Sequence, residues 1–236
     1  MFKIEFEKYI DSERRLSKHT IKSYLTDLKQ FAEYIDIEFD IQDNLDQINF
    51  QIIRNWIAYM LEQGISPRSV NRKISTLKTY FKFLLRNKFI DKNPMLRVIN
   101  PKSKNSLPVF IEVDQMQLLL NDVIFEEGFI GDRNKLIIEL FYVTGIRVSE
   151  LIDLKIQDID FSNQSIKVLG KRNKERLIPV SSNMILLLKE FINKYQLIHF
   201  LFTSIEGNKL YTKIIYRIVN KYIGKISSAN KRSPHI

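Results

Sequence analysis

Between Ser17 and Ile35 the residues Ile21, Tyr24, Leu25, Leu28, Phe31, Ala32 and Ile35 return at intervals of three and four, the period of a helix with one face to bury. A stripe of this kind is marginal alone in water, so it must be met by others like it. The first hundred residues supply them. Ile4, Phe6, Tyr9 and Ile10 mark a helix before it, and Ser17 reads as the N-cap of the striped one. A third, from Phe50 to Gln63, turns Ile53, Trp56, Ile57 and Met60 inward and stops at Gly64. Ser66-Pro67 opens a fourth, with Val70, Ile74, Leu77, Phe81, Leu84 and Leu85 inward. The expectation is a compact four-helix bundle over residues 1–90.

Residues 91–109, "DKNPMLRVINPKSKNSLPV", hold three prolines and no periodic apolar face, which reads as an interdomain linker. A second, mostly helical domain is expected over 110–236. Helices start near Glu112, over "DRNKLIIELFYVTG" up to Gly145, and from Val148. The one clear strand signal follows, as "QSIKVLG" and "ERLIPVS" flank the polar turn "KRNK". "NMILLLKEFINKY" and "KIIYRIVNKYIGKI" return to helix. The fold class expected is mainly α in two domains, with a small β-hairpin or sheet in the second.

The chain carries 37 Lys and Arg against 27 Asp and Glu, a formal charge of +10, so a polyanion is the partner its charge favours. With no Cys, a disulfide scaffold, a thiolate metal site and a Cys nucleophile are all excluded. No apolar run is long enough to span a bilayer, and "MFKIEFEKYIDSERR" alternates charge with apolar residues, unlike a signal peptide. No membrane association and a cytoplasmic location are expected.

The fourth helix concentrates the positive charge. Arg68, Arg72, Lys73 and Thr76 share an outer face, continued by Lys82 and Arg86, and no Asp or Glu occurs from Pro67 to Lys88. A merely solvated face would interleave acidic partners, so this stripe is expected to contact DNA phosphates, aided by Lys18 and Lys22 on the second helix.

Three residues are candidates for chemistry. Arg147 follows the turn at Gly145 within an apolar segment, where a charge needs a partner or a ligand; Glu150 is the partner in reach, and a purely structural pair is the competing reading. Lys171 lies on the hairpin turn after Gly170, with Arg172, Lys174 and Arg176 nearby, a setting suited to phosphate but also to ordinary surface. His235, with no evident partner, is uninformative by itself.

Together, "TGIRVSELIDLKIQDID", "VLGKRNKERLIPV" and "SPH" resemble the tyrosine recombinases, in particular the Xer-like and phage-integrase-like site-specific recombinases. The resemblance spans the whole chain and implies a SAM-like N-terminal DNA-clamping bundle followed by a catalytic domain. It implies phosphoryl transfer without metal or cofactor, in which a Tyr hydroxyl attacks the scissile phosphodiester and leaves a 3′-phosphotyrosyl link and a free 5′-OH. By this likeness Arg147 clamps the phosphate, Lys171 is the general acid for the 5′-oxygen, His235 assists at the phosphate, and Glu150 orients Arg147. The partner implied is a double-stranded recombination site, bound by a homo- or hetero-tetramer when the protein is full length.

The same likeness calls for a second Arg, a His or Trp box and the nucleophilic Tyr after "SPHI". All ten tyrosines precede His235, and none is nominated as the nucleophile. The 236 residues are therefore expected to bind DNA without cleaving it. The alternatives are a non-catalytic relative that occupies or regulates recombination sites, and a basic helical protein that binds RNA or ribosomes.

Overall fold

The computed structural model describes residues 3–41, 44–103, 111–121, 123, 125–170 and 174–226. The chain divides into two compact units, Met1–Ser106 and Leu107–Ile236.

In the first unit, helix α1 (Lys3–Lys8) runs directly into a wider π-helical turn, Tyr9–Glu13. The Ser17 hydroxyl accepts a hydrogen bond from the Thr20 N–H and opens α2 (Lys18–Phe39). Asn49 caps α3 (Phe50–Glu62) by accepting from the N–H groups of Gln51 and Ile52. Gly64 ends the connection at φ +75°, a conformation that other residues enter only under strain. Ser66 caps α4 (Pro67–Arg86), where the missing N–H of Pro67 goes unneeded in the first turn.

The four stripes meet in one core that includes Phe6, Phe31, Ile53, Trp56, Ile74, Leu77, Phe81 and Leu84. Phe31 and Trp56 meet edge to face at 4.9 Å. Two residues expected inward are not. Leu85 is 39% exposed because Phe83 and Leu84 already fill the inward arc, and Ile4 faces solvent. The stretch read as a linker is also more engaged than expected over its described part: Met95 and Val98 join this core, and the Asn71 side-chain amide donates to the Pro101 carbonyl at 2.9 Å.

The second unit comprises α5 (Val113–Asn121), α6 (Phe129–Thr144), α7 (Val148–Asp153), α8 (Ser182–Lys194) and α9 (Thr212–Ile226). Between α7 and α8 lies an antiparallel sheet of β1 (Ile159–Asp160), β2 (Ser165–Leu169) and β3 (Glu175–Pro179), in the order β1-β2-β3. The two-residue β1, where Ile159 faces Ile166, adds to the expected hairpin a strand too short to leave an alternating pattern. Helix α5 packs on α9, α6 on α8, and α7 on α9. Helix α6 begins at Phe129, ahead of the Asp132 at which its sequence pattern starts, because Phe129 packs against Phe191 and Tyr195. It ends at Gly145, φ +58°, and this left-handed residue turns the chain into α7.

Candidate functional site

The turn at Gly145 makes Arg147 the N-cap of α7, and the same turn buries Glu150 in the helix's first coil. The Glu150 carboxylate accepts the Arg147 backbone N–H at 2.9 Å and the Arg147 guanidinium at 2.8 Å. It also accepts two bonds from Arg176 on β3, at 2.5 and 2.9 Å. The Glu150 side chain is 1% exposed, whereas those of Arg147 and Arg176 are 57% and 37% exposed. The partner expected for Arg147 is thus the one it has, with the carboxylate as the buried member and the guanidinium reaching outward.

Burial pushes the Glu150 carboxyl up, but the bonds from Arg176, the backbone and side-chain bonds from Arg147, and the Arg176 charge outweigh it and hold the group below its ordinary value. One anion thus faces two cations. The surplus positive charge is oriented by a buried anchor and open to solvent, an arrangement fit to receive an oxyanion. Among the described residues, no group of three or more His, Asp or Glu side chains is arranged to hold a metal ion.

The sequence counted Arg176 only among the basic residues near Lys171 that favour phosphate, and did not reveal its bond to Glu150. Its signal is tertiary, because β3 pairs with β2 so that Arg176 stands opposite Val168, and only then does it meet a carboxylate 26 residues earlier. The hairpin comes close at its end as well. Gly170, whose N–H donates to the Lys174 carbonyl at 2.8 Å, has room for a Cβ only 3.4 Å from Glu150 Oε1. Lys174 is exposed, while Lys171, Arg172 and His235 lie outside the described residues.

The basic stripe of α4 divides in two. Arg68 and Arg72 are exposed, as are Lys18 and Lys22 on α2; these two lysines line an open groove with Lys8, Lys29, Glu7 and Asp11. Lys73 and Thr76 do not lie on the outer face: both are buried against Asp27 of α2, itself fully buried. Farther along, Arg86 is paired with Glu13 at 2.7 Å and lies over the Tyr9 ring. The acidic partners missing from α4 come from other helices, where spacing within one helix cannot show them.

Residues 110–236 match the Phage integrase family, and residues 4–88 match the Phage integrase N-terminal SAM-like domain. Tyrosine recombinase XerC of Staphylococcus haemolyticus is 31% identical over 98% of this chain and 78% of its own length. Tyrosine recombinase XerD of the same species is 34% identical over 98% of the chain and 80% of its length. Among solved structures, XerH site-specific recombinase bound to a difH substrate aligns over 99% of this chain and 70% of its own, with a TM-score of 0.76 at 22% identity. A lambda integrase dimer on a core site aligns over 98% of this chain and 80% of its own, with a TM-score of 0.72 at 20% identity. At these identities the structural matches bear on the fold.

Proposed function

Because this chain belongs to the phage integrase family, with XerC and XerD tyrosine recombinases among its relatives, we propose that it serves site-specific DNA recombination. The observation that carries the reading is the Glu150 site, where one buried carboxylate holds two partly exposed guanidiniums. In strand cleavage by a Tyr hydroxyl, charge grows on the non-bridging oxygens of the scissile phosphate. Arg147 is their clamp, permanently charged and held in a fixed orientation. Arg176 braces Glu150 from the hairpin and adds a second positive charge beside it.

Lys171, one residue beyond the Gly170 that packs on Glu150, is the general acid that protonates the departing 5′-oxygen. His235 assists at the phosphate. Arg68, Arg72, Lys18, Lys22, Arg172 and Lys174 contact the DNA backbone and supply salt-dependent affinity. Tetramers on a duplex site, in the cytoplasm, are the working assembly.

The nucleophile is not assigned among the ten tyrosines. Tyr222 is buried with its hydroxyl donated to Glu126, and the Tyr195 hydroxyl is donated to Asp132. We infer that these 236 residues bind a duplex without cleaving it. The test is selection of bound duplexes from a randomised pool, followed by incubation of the enriched duplex, carrying a nick, with the chain. One recurring site, affinity falling steeply with salt and no covalent protein–DNA product are expected. An unenriched pool or equal affinity for RNA sinks the site-specific reading, and a covalent product overturns the assignment of this chain as non-cleaving.

A further inference from the structure

The first unit contains a second assembly built like the Glu150 site. Asp27 is fully buried on α2, and three side chains of α4 converge on it. Arg72 donates to both carboxylate oxygens at 2.6 and 2.7 Å, Lys73 donates at 3.1 Å and the Thr76 hydroxyl at 2.8 Å. Arg72 also bonds the Ser23 hydroxyl, and Lys73 bonds the Gln30 side-chain oxygen. Asp27 is the only carboxylate paired with either cation among the described residues.

The two cations differ in what remains of them. The Lys73 side chain is 9% exposed and its ammonium is spent inside, on Asp27 and Gln30. The Arg72 side chain is 48% exposed and offers its outer edge to solvent while its inner edge is forked onto the carboxylate. Two cations on one carboxylate leave a surplus positive charge, and the only exposed part of the cluster on which an anion can meet it is the guanidinium.

We infer that Asp27 is a positioning residue: it fixes Arg72 as a seat for a DNA backbone phosphate, and Lys73 keeps the carboxylate from cancelling that charge. This rests on the DNA-binding reading above and specifies it. A fixed guanidinium gives up less side-chain freedom on binding than a free one, and a phosphate seat fixes the protein's register on the duplex without reading bases. Lys73 and Thr76, expected to touch DNA, instead hold the anchor in place.

The test compares Arg72→Gln, Asp27→Asn and the double variant of the full chain, on two duplexes of unrelated sequence over a range of salt, with thermal melts alongside. Arg72→Gln is expected to lower affinity equally on both duplexes and to reduce the slope of log affinity against log salt by roughly 0.9, one phosphate contact. Removing a negative charge from beneath a DNA-binding face should tighten binding if charge alone mattered. Asp27→Asn is instead expected to weaken it by about tenfold, and to add nothing once Arg72 is Gln.

Tighter or unchanged binding by Asp27→Asn, or a full further loss in the Arg72→Gln background, overturns the inference and leaves the DNA-binding reading intact. Failure of the unaltered chain to bind either duplex overturns both. If Asp27→Asn does not fold, Arg72→Lys decides. It keeps the charge and loses the fork, so affinity close to that of Arg72→Gln supports the inference, and affinity like the unaltered chain refutes it.

Discussion

A methyl group added at Gly170 would stand 3.4 Å from Oε1 of Glu150, so the end of strand β2 packs directly on the carboxylate that holds both arginines. The same methyl would lie 3.5 Å from an Arg176 guanidinium nitrogen and 3.3 Å from the Lys174 carbonyl. Alanine fits here with shifts of a few tenths of an ångström. Valine does not. Gly170→Val is expected to cost about 1–3 kcal/mol by overpacking and to weaken duplex binding, whereas Gly170→Ala stays near the unaltered chain. Denaturant melts and salt titrations of the two variants check this, and a Val variant equal to Ala in both would contradict it.

Glu150→Gln leaves two guanidiniums around a neutral amide. A loss of about 2 kcal/mol or more is expected at neutral pH, the scale of hydrogen bonds to charged groups. The folded carboxyl titrates below its unfolded value, so its stabilisation is complete above the ordinary carboxylate range and is lost as pH falls through the depressed folded value. The gap in melting temperature between the unaltered chain and the variant should therefore narrow in acid, below about pH 4. A gap that stays constant or widens there would rule out the proposed anchoring charge.

Arg147 and Arg176 share one anchor, so their contributions should not add. Each Ala substitution is expected to reduce duplex affinity, and the double variant to lose less than the sum, with a coupling of about 0.5–3 kcal/mol. Equilibrium binding at fixed salt measures all three. Strict additivity would mean that Glu150 holds them independently.

Away from both sites, a Cβ at Gly131 would lie 1.6 Å from the Glu126 backbone oxygen. No side-chain adjustment relieves a clash with backbone, so Gly131→Ala is expected to cost about 3 kcal/mol or more. The denaturant midpoint should fall while the salt slope of binding by the folded fraction is unchanged.

The bundle was legible because three of its helices carry their own punctuation, Ser17 and Ser66-Pro67 at starts and Gly64 at a stop, and because burial repeats with the helical period. Arg147 and Glu150 were legible for a similar reason: three residues within one turn are a local fact. Arg176 and Asp27 were not, since each acquires its role from a partner on another element, at 26 residues in one case and 45 in the other. Lys73 and Thr76 show the converse failure. Their spacing placed them on an outward face, but α2 lies across that face and carries the one carboxylate that needs them.

The sharing of Glu150 between a helix cap and a hairpin strand also bears on how such a chain can drift under mutation. Losing either arginine leaves the other still tethered, and the buried charge is never abandoned in a single step. Losing the carboxylate frees both tethers at once. For folding alone, positions 147 and 176 can accordingly change one at a time, whereas a change at 150 touches both arginines together.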